Sequence, residues 1–308
     1  MIDCSPRTLA LWMVYARRHA RTQAPTLHRP GDTGAITSAY RDLLTATGGA
    51  MRDAAGGTLL PQGSELINEQ MLPVLSFYQA RAEASPAAPF EAAPFRALIK
   101  AGKADKIPLF AYVYHEYGPV RLDGWAKLSR EQGDYVYFIL GRVFLQGGLI
   151  ELNYEFSALE DVDGHHDAPD EHYFPFDDRH YAIDPRLAEF VGHLARARVG
   201  RANRYLAYGT MRRPAPLTVQ GDATLDMEYF SYNCGQTFPE YEDRGTMRVP
   251  TVLQGAWRHR EESAAWLLLN LATEERVATL TLTPALIGIA SSSSWQLTLH
   301  REDGGARI

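Results

Sequence analysis

Two carboxylates stand just beyond short apolar runs: Asp3 after Met1-Ile2, and Glu65 after Thr58-Leu59-Leu60 and the loop Pro61-Gln62-Gly63-Ser64. Cleavage of a glycosidic bond needs such a pair, one carboxyl group protonating the leaving oxygen while the other attacks the anomeric carbon or activates water. The same two positions also suit purely structural roles, Asp3 as a terminal residue and Glu65 as an acid at a helix start, where the dipole favours negative charge. A second constellation is His115-Glu116, which follows the apolar run Ile107 to Tyr114 and is framed by Tyr112, Tyr114 and Tyr117. Histidine and glutamate can hydrogen-bond sugar hydroxyls, while the tyrosines and Trp125 offer flat apolar faces to the C–H surface of a pyranose. Asn153 and Glu155 follow another apolar run and are candidates of the same kind. A rim histidine satisfied within a structural loop is the alternative for His115.

Metal chemistry has one candidate segment. His165, His166, Asp167, Asp170, Glu171 and His172, with His180 further on, are ligand types, but neither a helical HExxH nor a defined coordination spacing appears. A solvated acidic loop accounts for them, and no metal is assigned. The serines at 291–294 lack a nucleophile elbow around them and read as a turn between strands. No cofactor motif is present: there is neither GxGxxG nor a phosphate loop.

The elements that must carry these residues alternate. Tyr40, Leu43, Leu44, Thr47 and Met51 have helical spacing behind a cap at Thr37 or Ser38, weakened by Gly48-Gly49. Ile107 to Tyr114 is nearly all apolar or aromatic, with Pro108 at its edge, and predicts a buried strand delivering His115 and Glu116 to its end. Ser129 to Gln132 has capping-box spacing before the apolar face Tyr135, Val136, Phe138, Ile139, Val143 and Phe144. Gly148 to Asn153 predicts another strand. Asp184-Pro185 then opens a helix with core face Leu187, Phe190, Val191 and Leu194. Strands apolar on both faces, alternating with helices, are the mark of a parallel sheet covered by helices. Four such strands fall short of the eight in a closed barrel of about 250 residues. The expectation is therefore a chain whose first barrel strands lie upstream of Met1, with a doubly wound open sheet as the alternative. After Pro214-Ala-Pro216 the pattern changes to short alternating strands at Met227–Tyr232, Arg248–Leu253, Ala265–Leu271, Val277–Leu282 and Trp295–Leu299.

Composition narrows the partners. A net charge of -6 argues against a nucleic-acid binder, which needs concentrated Lys and Arg. Cys4 and Cys234 are too few for a disulfide framework or a zinc site, and they leave the compartment undecided. No uncharged apolar run approaches the ~20 residues a membrane span needs, and the N-terminus lacks a signal-peptide pattern.

Ile2-Asp3-Cys4, Gln62-Gly63-Ser64-Glu65 and Pro108 to Tyr117 resemble a bacterial group of glycoside-hydrolase-like TIM barrels related to α-galactosidases and endo-α-N-acetylgalactosaminidases. Val249 to Trp257 and Trp266 to Ala272 resemble its C-terminal β domain. The resemblance implies an α/β fold: a partial (β/α)8 TIM barrel, its C-terminal half, over residues 1–212, followed by an all-β sandwich over residues 213–308. It also implies a retaining mechanism on α-linked sugars with Asp3 as nucleophile and Glu65 as acid/base, and His115, Glu116, Tyr114, Tyr117, Trp125 and Asn153 around a carbohydrate substrate. One stretch departs from the group's pattern: residues 16–35 carry four Arg and two His against one Asp, where a glycine-rich active-site loop is expected. The competing readings are a module that holds polysaccharide without hydrolysing it, and a metal hydrolase built on the 165–180 segment.

Overall fold

The computed structural model describes residues 34–58, 61–64, 69–80, 98, 101, 103, 107–122, 133–150, 184–231, 243–260, 263–287, 296–300 and 306–307. The chain divides into two compact units, Met1–Tyr78 and Gln79–Ile308.

In the first unit, helix α1 (Gly34–Ala54) forms on the expected stripe and ends beyond the Gly48-Gly49 pair. Strands β1 (Gly63–Ser64) and β2 (Phe77–Ala80) run parallel, with Gly63 opposite Phe77 and Ser64 opposite Tyr78. Gln62 holds this corner together. Its side-chain amide donates to the carbonyls of Leu44 and Val74 at 3.1 and 3.0 Å, and its backbone carbonyl accepts from the Ser76 backbone amide at 2.7 Å. A buried amide that reaches two backbone acceptors fixes the loop before Glu65 to the helix.

In the second unit, α2 (Leu109–Tyr114) continues into a single 3-10 turn (His115–Tyr117) and the short strand β3 (Val120–Leu122). Helix α3 (Tyr135–Leu145) is apolar nearly all round, and Val136, Phe138, Ile139, Leu140, Val143, Phe144 and Leu145 are buried. Helix α4 (Pro185–Val199) starts as its sequence requires: the Asp184 carboxylate accepts from the amides of Arg186 and Leu187 at 2.8 and 3.3 Å, with Pro185 in the first turn. A short helix, α5 (Asn203–Leu206), leads to β4 (Thr210–Arg212). Eight further strands follow: β5 (Leu217–Val219), β6 (Thr224–Ser231), β7 (Asp243–Pro250), β8 (Val252–His259), β9 (Ser263–Asn270), β10 (Ala278–Leu280), β11 (Leu299–His300) and β12 (Ala306–Arg307).

The described sheets of this region are small and antiparallel: β4-β8-β9, β6-β7, β5-β10 and β11-β12. Alternation in β8 turns Leu253 and Trp257 into the core, and Gly255 lets that strand approach the Leu145 backbone closely. One core joins α3, α4 and α5 to β6, β7 and β8.

This architecture overturns the TIM-barrel half. Ile107–Tyr114 is not a strand: residues 109–114 are helical. Of the strand expected over Gly148–Asn153 the described residues reach Ile150, with a bridge at Leu149, and the rest lies outside them. The parallel pair β1-β2 spans two residue pairs, and the longer ladders are antiparallel, which makes the fold mostly β with packed helices. The physical reason lies in the run itself. A short, wholly apolar segment has no period-two alternation, so a buried strand and a buried helix cannot be told apart by pattern. Nor does a two-sheet sandwich stand alone after residue 212. Met211 in β4 pairs opposite Trp257 in β8, and the helices before residue 212 share their core with the strands after it.

Candidate functional site

The winding of α2 decides which of the expected rim residues face water. Burial of Ala111 and His115, one turn apart, defines its inner face, while Leu109, Tyr112, Val113, Glu116 and Tyr117 are exposed. Those five positions are i, i+3, i+4, i+7 and i+8, the spacing of one helix face. The outer face therefore carries two tyrosines, 47% and 60% exposed at Tyr112 and Tyr117, together with the exposed Glu116. Tyr114 is half-buried.

His115 points the other way and is 4% exposed. Its ring meets Trp257 edge to face at 4.6 Å between centroids, and the Trp257 indole N–H donates to the Leu145 carbonyl at 3.0 Å. Gly147, at φ 74°, closes the space beneath it: a Cβ there would collide with His115 Cε1 and stand 2.8 Å from both the Leu206 carbonyl and Trp257 Cη2. The Gly147 carbonyl accepts from Arg198 Nη2 at 3.2 Å, which brings a guanidinium to the same place. Arg198 lies four residues beyond the buried Leu194 on the stripe that begins at Leu187, so a cation occupies a position of α4 that faces the core.

The His115 pKa is pushed down to about 4, first by burial and then by the Arg198 charge, against a smaller upward pull from the Leu206 carbonyl. That carbonyl does not complete a hydrogen bond, and neither ring nitrogen has a partner. Two of the three Arg198 guanidinium nitrogens, Nε and Nη1, are likewise buried without an acceptor, and burial lowers the Arg198 pKa from its usual value. The ring is neutral at pH 7 and the guanidinium charged.

Of the residues expected around a sugar, the structure brings Glu116 and Tyr117 to one surface. It removes His115 from that surface to the core, because a helix rather than a strand carries it. Asp3, Glu65, Trp125 and Asn153 lie outside the described residues, as do Glu155 and the segment 165–180. Among the described residues no group of three His, Cys, Asp or Glu is placed to hold a metal, and no helix is long and apolar enough to cross a membrane. Sequence reasoning missed Arg198, Gly147 and Trp257. The available signal was the arginine standing on the apolar stripe of α4. No family model, curated protein or solved structure matches the chain.

Proposed function

We propose that this chain binds carbohydrate, the non-hydrolytic of the readings open from sequence, through the outer face of α2 and the turn after it. The observation that carries the reading is the pair of exposed tyrosines, Tyr112 and Tyr117, on one face with the exposed Glu116. Sugar recognition needs these parts: aromatic faces for the apolar C–H side of the ring and a carboxylate to accept hydrogen bonds from neighbouring hydroxyls. Leu109 and Val113 extend the same face and enlarge the apolar platform. A run of exposed aromatic and aliphatic side chains on one face is the kind of surface a ligand covers. The resemblance of the 108–117 segment to glycoside-hydrolase-like enzymes points to the same substrate class.

Affinity electrophoresis of the full chain through gels containing a panel of soluble α- and β-linked polysaccharides tests the reading. Retardation by at least one polymer is expected, with Tyr112→Ala or Tyr117→Ala each weakening binding roughly fivefold, the effect of losing about 1 kcal/mol of aromatic contact. Equal migration of the wild type in every gel, or retardation that both variants retain, would remove the proposal. Turnover of nitrophenyl glycosides by the wild-type chain would instead favour hydrolysis.

A further inference from the structure

We infer that Arg198 and His115 form a binding site for a small oxyanion: phosphate, sulfate or a carboxylate. The inference stands apart from the sugar-binding face, which lies on the opposite side of α2. Arg198 Nε and Nη1 are buried without an acceptor, on a guanidinium that Nη2 anchors to the Gly147 carbonyl, and the buried neutral ring of His115, which also meets Gly147 and feels the Arg198 charge, brings one further N–H. Buried polar atoms are almost always paired with protein, water or an ion, so an unpaired group of them marks a position that something fills. His115 is more than nine-tenths buried, which excludes bulk water as its partner.

Charge selects the occupant. Among the described residues no carboxylate pairs with Arg198, and Glu116, next to His115 in the chain, faces solvent. A buried guanidinium without a counter-charge is costlier than a buried neutral donor, and an anion removes that cost where a water does not. Arginine presents planar donors that match the oxygens of phosphate, sulfate and carboxylate. A neutral imidazole adds one N–H to the same oxygens. The Arg198 side chain is only half-buried, so the site is one side chain away from solvent.

Thermal denaturation of the full chain at pH 7 and constant ionic strength in chloride, with phosphate, sulfate, glucuronate or neutral glucose added, tests the site. A saturable rise in Tm of a few degrees with phosphate or sulfate is expected, absent in Arg198→Gln and retained in Arg201→Gln, an exposed arginine paired with His300. Glucuronate acting where glucose does not would identify a sugar carboxylate as the occupant. Activity of the inorganic ions alone would identify a free anion. Should Arg198→Gln not fold, the His115 ring signals of the wild type decide, because phosphate must shift them and raise the pKa of that ring alone. A Tm unchanged by every oxyanion, a rise equal in Arg198→Gln, or a His115 ring that phosphate leaves unmoved would each overturn the inference.

Discussion

Acid should unfold this protein through His115. In the native chain the ring is neutral and its pKa lies at about 4; in the unfolded chain it returns to its ordinary value near 6.5. Between those values the unfolded state holds a proton that the native state does not, so stability rises with pH there. The contribution is complete above about pH 6.5, declines as pH falls, and is lost once pH passes through about 4. A gap of that width at about 1.4 kcal/mol per pH unit amounts to on the order of 3 kcal/mol, a large share of the 5–15 kcal/mol that typically stabilises a folded protein.

Urea denaturation at intervals from pH 7.5 to 4.5, in chloride without oxyanion buffers, measures it. Beside the wild type stands His115→Phe, which keeps a ring against Trp257 and cannot take up a proton. The chain has ten histidines, and the other nine are common to both proteins, so the difference between the two curves isolates His115. The wild type should lose stability relative to the variant as pH falls from 6.5 to 4.5. Parallel curves across that range would show that His115 titrates as an exposed histidine and would refute the reasoning from burial.

Gly147→Ala should destabilise the chain by roughly 2–4 kcal/mol in urea, because the position combines φ 74° with a Cβ driven into His115, Leu206 and Trp257. Asp184→Ala removes the cap that receives the Arg186 and Leu187 amides and should cost about 1 kcal/mol, read as a lower urea midpoint at unchanged slope.

What was legible in the sequence was local. Asp184-Pro185 announced α4 because a cap and a first-turn proline act within one turn of chain, and α3 declared itself by its broad apolar helix face. The ladders β6-β7 and β8-β9 fall near the expected strands, although the expected Arg248–Leu253 strand is divided at Thr251 between β7 and β8. The segment Ile107–Tyr114 was not legible, and that one error relocated the site. In a strand, His115 would follow the run to an open end. In a helix it falls one turn below Ala111 on the inner face, and Glu116 alone rotates outward. Which side of α2 meets the core depends on Trp257, 142 residues away from His115 in the chain, and no local pattern carries that information.

The proton and the anion at this site act on each other. Arg198 lowers the His115 pKa because two like charges would share one buried space, so an oxyanion that neutralises the guanidinium removes part of that penalty and raises the pKa. Linkage makes the effect reciprocal: whatever factor the anion adds to proton affinity, the proton adds to anion affinity. Oxyanion binding must therefore strengthen as pH falls below the pKa of the occupied site, and the acid loss of stability must shrink by the same free energy when the anion is present. The burial of His115 alone would produce the acid sensitivity without any response to phosphate. It is the placement of an arginine on the core stripe of α4, four residues beyond Leu194, that ties the two together.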